Sequence, residues 1–264
     1  MMAPTLVMKN NHMPDQAKRP PTAALYITCL ANSLRPEIGH ACVQLVESLG
    51  FKVDVPLDQT CCGQPGYNAG HRDQAIAVAK TQITALQGYD WVVVPSGSCA
   101  GMIINHYPRL FDQDTDWLER ATRLAARTRE LCQFLEEQGW HPGTRPQHRT
   151  QHAWAYHTSC SCRRETHSHE QGHRLLLKAG IRLAHLHDQE VCCGFGGTFA
   201  AKFDPLSSRM GQKKLAAIEQ CSATGVTSAD LGCLLQLQSL DRSGLSFCHI
   251  AELLAGTNAT ERQS

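Results

Sequence analysis

Apolar and polar positions along this chain switch repeatedly between a short extended pattern and a helical one. Residues 23–28 (AALYIT) form a compact apolar run ending at Cys29, and residues 36–49 follow with apolar positions near helical spacing. The pattern predicts a strand, a loop carrying a cysteine, then a helix. Gly50 ends that helix, residues 51–55 alternate as a short strand, and Cys61 and Cys62 lie beyond its carboxyl end. Residues 73–86 (DQAIAVAKTQITAL) read as the next helix, and residues 91–94 as a third strand whose exit carries SGSC up to Cys99. A charged helical segment then runs from Asp116 to about Glu137. The Gly, Pro and polar residues of GWHPGTRPQHRTQH mark the boundary between two halves.

The second half repeats the plan. Residues 152–156 predict a strand before Cys160, residues 174–179 part of a helix, and residues 181–186 a strand before Cys192 and Cys193. Residues 207–220 predict a helix, residues 225–228 a strand leading into Asp230-Leu231-Gly232-Cys233, and residues 247–250 a strand closing the sheet. Strands alternating with helices imply parallel sheets, whose functional groups collect outside the carboxyl ends of the strands. The expected fold is therefore α/β, in two duplicated halves with cysteines at strand ends. We expect a tail over residues 1–21, a first domain over 22–140, a linker over 141–150, a second domain over 151–256 and a tail over 257–264.

The cysteine spacing makes the repeat quantitative. Cys29 to Cys160, Cys61 to Cys192 and Cys62 to Cys193 are each 131 positions apart, and Cys99 to Cys233 is 134. Each half reads as one cysteine, 31 residues, an adjacent pair, then 36 or 39 residues and a fourth cysteine. Adjacent residues of a strand point to opposite faces, so two neighbouring thiolates converge only where the backbone turns, and Gly63 and Gly194 supply that turn. Glycine there also exposes N–H donors to sulfur. Four thiolates are a ligand set for a soft metal centre, zinc or an iron–sulfur cluster. Structural zinc sites more often use C-x-x-C knuckles, which neither half has among these eight residues, and this favours iron–sulfur.

The remaining cysteines and histidines fit plainer roles. Cys42, Cys132, Cys221 and Cys248 lie on helix-like or strand-like runs and are expected in the core. Cys162 is open between a spare ligand, a loop thiol and a filler, with Cys160 the better placed. His157 is expected to hydrogen-bond nearby backbone. Residues 194–197 lack the glycine spacings of nucleotide loops. His71, Arg72, Arg163, Arg164 and Lys202 stand near the cysteines in sequence, where positive charge would offset a negatively charged cluster, although each taken singly is expected to be a solvated surface charge.

Composition narrows the setting. Lys plus Arg of 25 against Asp plus Glu of 24 gives a formal charge of +1, which argues against a nucleic-acid footprint or a membrane-surface patch. Thirteen cysteines would suggest a disulfide scaffold in a small secreted chain, but 264 residues are too many for that class, and the start of the chain lacks a signal peptide's apolar segment. We expect a cytoplasmic protein with reduced thiols and no membrane span.

The segments CCGQPGYNAG, VVVPSGSC, CCGFGGTFAAKF and DLGC resemble the cysteine-rich CCG-domain family, over residues 23–256. Within it the chain is similar to the iron–sulfur subunits of bacterial lactate-utilisation complexes. The iron–sulfur subunit of glycolate oxidase is related, as is the CCG-domain subunit of heterodisulfide reductase. The resemblance implies one 4Fe-4S cluster in each half, the first held by Cys29, Cys61, Cys62 and Cys99 and the second by Cys160, Cys192, Cys193 and Cys233. It further implies an electron-transfer oxidoreductase working with partner subunits, another iron–sulfur protein among them, to oxidise L-lactate, a small 2-hydroxy acid, to pyruvate. One departure matters: the heterodisulfide reductase motif ends in C-x-x-C, whereas Ser96 and Asp230 stand three residues before Cys99 and Cys233. Two rival readings are a stand-alone thiol–disulfide reductase, which that departure disfavours, and a zinc-stabilised interaction module without redox chemistry.

Overall fold

The computed structural model describes residues 19–143, 153–187 and 189–257. Most of the expected first tail, most of the linker, Gln151 and His152 at the start of the expected second domain, and nearly all of the last tail lie outside the described residues. In the first half, β1 (Thr22–Leu25), β2 (Lys52–Asp54), β3 (Trp91–Val94) and β4 (Thr128–Glu130) form one parallel sheet in the order β2-β1-β3-β4. In the second, β5 (Trp154–Tyr156), β6 (Gly225–Ser228) and β7 (Ser246–His249) form a parallel sheet in the order β5-β6-β7. A parallel bridge from Trp154 to Leu183 lies outside β5, at the position β2 holds beside β1. The two sheets therefore share one topology. The inner strands β1 and β3 read as short apolar runs, as buried parallel strands do, whereas the edge strands β2 and β4 carry polar residues.

Two expectations are corrected. The segment from Asp116 to Glu137 is not one helix: Thr115–Arg127 is followed by β4 and then by Leu131–Glu137. The Glu130 carboxylate starts the new helix by accepting from the Cys132 N–H at 2.9 Å, while the Glu130 N–H donates to the Gln133 side chain at 3.3 Å. This reciprocal cap offsets the break. Residues 181–186 do not form a full strand. Their edge is bonded on one side only, through Trp154 N–H to Arg182 C=O and Ala184 N–H to Trp154 C=O, each at 2.9 Å.

The halves are joined through helices. Glu37–Glu47 of the first half packs on Ile250–Ala255 of the second, and Leu131–Glu137 packs on His169–Lys178. The side chains buried there, among them Leu45, Phe134, Leu176 and Leu253, belong to one cluster drawn from both halves. A second cluster, with Tyr26, Ile83, Val92, Met102 and Tyr107, lies within the first half. Arg174 closes the junction at its rim with two bonds of 2.7 Å to Glu136. No helix among the described residues is long and apolar enough to cross a membrane.

This junction can be probed by unfolding. Phe134 is fully buried, with its ring edge-on to Phe51 at 5.0 Å and to Trp91 at 5.9 Å. Phe134→Ala should cost about 3–5 kcal/mol in urea unfolding. Burial pushes the Glu130 carboxyl from 4.5 up to about 8, so across that window the folded chain holds a proton that the unfolded chain releases. Stability contributed at this site falls as pH rises through the window, by up to roughly 1.4 kcal/mol per pH unit. Glu130→Gln should flatten that slope relative to the unmutated chain.

Candidate functional site

Each of the eight cysteines singled out by spacing sits just beyond a strand or strand-like edge, and four of them open helices rather than lying in loops. Cys29 begins Cys29–Leu34, whose preceding Thr28 accepts from Ala31 N–H at 3.2 Å. Cys160 begins Cys160–Arg164, and Ser159 caps it in the same way through Cys162 N–H at 3.1 Å. Cys99 lies in Gly97–Gly101 behind Ser96, which accepts from Cys99 N–H at 3.3 Å, and Cys233 lies in the first turn of Leu231–Leu240. A strand end followed by a short capped helix points the thiol across the sheet edge.

The adjacent pairs turn as their glycines require. Gly63 and Gly194 have φ of 83° and 88°, a region unfavourable to side chains, and a Cβ on Gly194 would collide with the Ser207 carbonyl oxygen. The turn frees backbone N–H groups for sulfur: Gly194 N–H donates to Cys192 Sγ at 3.3 Å and Phe195 N–H to Cys193 Sγ at 3.5 Å. In the first half the backbone at Gly63 and Gln64 does the same for Cys61 and Cys62. Tyr26 and Tyr107 brace that loop by donating to Thr60 C=O at 2.7 Å and Cys62 C=O at 2.9 Å.

These turns bring the sulfurs together in two matching sets. The Cys61 thiol interacts with those of Cys29 and Cys62, and the Cys62 thiol with that of Cys99. The Cys192 thiol likewise interacts with those of Cys160 and Cys193, and the Cys193 thiol with that of Cys233. Proton affinities split within each set. The Cys61 and Cys192 thiols fall far below the ordinary range, first through the bond from Cys29 or Cys160 and then through the neighbouring cysteine. Cys29, Cys62, Cys160 and Cys193 rise, chiefly because each hydrogen-bonds the ionised member. Cys61 and Cys192 are therefore the members most readily ionised, and the thiols of Cys29, Cys62, Cys160 and Cys193 beside them resist losing their protons. Cys62, Cys99 and Cys193 are buried, whereas Cys29 is exposed, so the first site has a dry wall and an open side.

The remaining candidates separate. Cys42, Cys132 and Cys248 are buried in the shared core, and Cys221 is half-buried and bonds Ile218 C=O at 3.0 Å. Cys162 turns away from the second set toward Asp230 Oδ2, at 3.7 Å. Of the basic residues, Arg72 is engaged by Leu110 C=O at 3.0 Å and Asp112 at 2.8 Å, and Arg163 by Glu190. Arg164 does act on a site thiol, partly opposing the upward effects of Cys192 and burial on Cys160. His157 departs from expectation. Its ring is buried, neither nitrogen has a hydrogen-bond partner among the described residues, and a ring nitrogen lies within 4.8 Å of the sulfurs of Cys193 and Cys233. Burial first, then the charge of Lys214, pushes it down to about 3, so it is a neutral imidazole with one N–H.

Spacing alone does not reveal what joins the two sites. Ser96 and Asp230, at the positions where C-x-x-C would have cysteines, bond to each other across the halves at 2.6 Å. Asp230 Oδ1 also accepts from the Ser98 N–H at 3.1 Å and hydroxyl at 2.9 Å, and Oδ2 from Ser159. Those residues neighbour Cys99 and Cys160, so one buried carboxylate ties a helix start of one site to a helix start of the other.

The assembly is a duplicated α/β protein that presents two four-thiol sites beside one junction. The chain belongs to the family described as Cysteine-rich domain (CCG), which matches residues 23–104 and 154–238 and so covers both sites. It is similar to "Lactate utilization protein A" of Geobacillus kaustophilus (strain HTA426), 41% identical over 246 residues, 89% of this chain and 99% of that protein. It is also similar to "Lactate utilization protein A" of Geobacillus thermodenitrificans (strain NG80-2), 40% identical over 245 residues, 89% and 99% of the two chains. "Lactate utilization protein A 2" of Bacillus cereus (strain Q1) is 36% identical over 240 residues, 88% and 97%.

The junction is tight enough to test. A Cβ on Gly97 would lie 2.5 Å from Cys162 Sγ and 2.8 Å from Cys162 N, whereas one on Gly88 meets nothing within 4 Å. Gly97→Ala should lose about 1–3 kcal/mol in urea unfolding, with Gly88→Ala as the near-neutral control.

Proposed function

We propose that this chain is an iron–sulfur electron-transfer subunit of a system that oxidises lactate. The observation that carries the reading is the recurrence of one chain of sulfur contacts at matching strand ends of both halves. Cys29, Cys61, Cys62 and Cys99 would hold one cluster, and Cys160, Cys192, Cys193 and Cys233 the other. Soft thiolates suit iron–sulfur and zinc alike, and the spread of each set favours the larger object. Among the described residues neither set of four sulfurs forms a group within 4.8 Å of one another. A single tetrahedral zinc, with bonds of about 2.3 Å, would draw them closer than that.

A bound cluster supplies one-electron chemistry at a potential that hydrogen bonds and burial adjust. The chain's own contribution is to hold the thiolates, donate N–H groups to them and keep water from one side. The names of the relatives bring in lactate as the source of electrons, with partner subunits and a cytoplasmic setting belonging to the same proposal. Domain limits of 22–140 and 151–256 would put one site in each half.

A second reading has one observation in its favour. His157, Cys193 and Cys233 are close enough to share a single ion, which would suit zinc in the second half.

Metal and acid-labile sulfide analysis of anaerobically purified protein separates the two. Cys62→Ser and Cys193→Ser should each lower bound iron and sulfide by roughly half and weaken the visible sulfur-to-iron absorption, since each breaks one of two centres. Cys132→Ala should leave both unchanged. Zinc without iron or sulfide in the unmutated chain refutes the redox proposal.

A further inference from the structure

The two sites match in their cysteines but not in the residue behind them. His157 follows β5, and its counterpart 131 positions earlier, following β1, is Tyr26. The tyrosine places its only polar side-chain hydrogen on the Thr60 carbonyl, at 2.7 Å, and so offers none to the first set of sulfurs. The imidazole has made no such commitment. It is 1% exposed, so bulk water does not reach it, and both nitrogens lack partners among the described residues. The sulfurs of Cys193 and Cys233 lie within 4.8 Å of a ring nitrogen. A buried N–H without a partner is costly, and native structures rarely keep one that has no use.

We infer that His157 donates its ring N–H to the sulfur of the second centre on the Cys193 and Cys233 side, holding that centre at a higher potential than its four cysteines alone would give. The inference rests on the iron–sulfur reading above. Four thiolates already complete a ligand set of the kind the first half uses without a histidine, which leaves the imidazole the role of donor. Reduction adds negative charge to the cluster and its sulfurs, and an N–H aimed at them stabilises the reduced form more than the oxidised one. The first centre, backed by a tyrosine bonded elsewhere, lacks this contribution, so the duplicated scaffold carries two electronically unequal sites.

The test is a redox titration of the whole chain followed by electron paramagnetic resonance, with the second-centre signal identified as the one lost in Cys193→Ser. His157→Leu and His157→Tyr, the latter installing the first half's residue, both remove the ring N–H. In each, iron and sulfide should match the unmutated chain, the second-centre midpoint should move to lower potential, and the first-centre midpoint should stay. An unmoved second midpoint with full iron in both variants overturns the inference and makes His157 a core residue. Loss of second-site iron in both overturns it in favour of ligation. Absence of iron and sulfide from the unmutated protein defeats the cofactor reading itself, an outcome distinct from the other two.

Discussion

Neighbouring thiols gathered at one sheet edge cannot all shed their protons, and much of this structure is arranged around that constraint. Two unit charges about 4 Å apart repel by roughly 4 kcal/mol at an effective dielectric near 20, so a fully ionised set of four is untenable without positive charge at its centre. The chain supplies only part of that charge itself. Backbone N–H groups reach Cys192 and Cys193 from Gly194 and Phe195, while Arg72 and Arg163 are engaged by Asp112 and Glu190. Arg164 acts on Cys160, and under the proposal above a bound cluster would supply the rest of the compensation. The positive φ of Gly63 and Gly194 follows from the same constraint, because only that turn aims adjacent thiols and N–H groups at one point.

Holding two such sites in register requires a rigid frame, and the junction provides one in two layers. The apolar layer packs helices of each half against the other and buries Phe134, Leu176 and Leu253 in a common cluster. The polar layer is Asp230, which collects hydroxyls from Ser96, Ser98 and Ser159. The buried carboxyl group is satisfied because both oxygens accept from these donors. Removing the donors, by contrast, would leave a buried charge unpaired, which costs far more than the loss of a surface ion pair. Cys99 and Cys160 lie beside the helix starts anchored there, so the Asp230 hydrogen bonds join the two sites directly.

Much of this is legible in the sequence, for definite reasons. Strand ends are short, so cysteines placed just after apolar runs at Cys29, Cys99, Cys160 and Cys233 have to emerge at the sheet edge, and the 131-residue offset ties the halves together. The periodic surroundings of Cys42, Cys132 and Cys248 point to the core, and all three are buried. What escapes depends on contacts distant in sequence. Strand β4 hides inside a helical pattern because Glu130 looks like an ordinary helix former until its carboxylate is seen capping the next helix. Ser96 and Asp230 stand out as departures from C-x-x-C, but their bond spans 134 positions and no local pattern signals it. The sequence around His157 points to a backbone partner because nothing in it tells what surrounds the ring.

Duplication explains why the differences cluster where they do. Two copies of one scaffold can both keep the residues that build a four-thiol site, while positions that touch only one site or the other copy are free to diverge. Thr28 and Ser159 keep the same capping role, which any small hydroxyl residue can fill. Ser96 and Asp230 have become donor and acceptor of one bond, a pairing that has meaning only between unlike copies. Tyr26 and His157 have diverged behind the sulfurs, one committed to a carbonyl and the other not. If both sets hold clusters as proposed, unequal neighbours around matching cysteines would give the protein direction: charge moving between two identical sites has no preferred side, and charge moving between two unequal ones does.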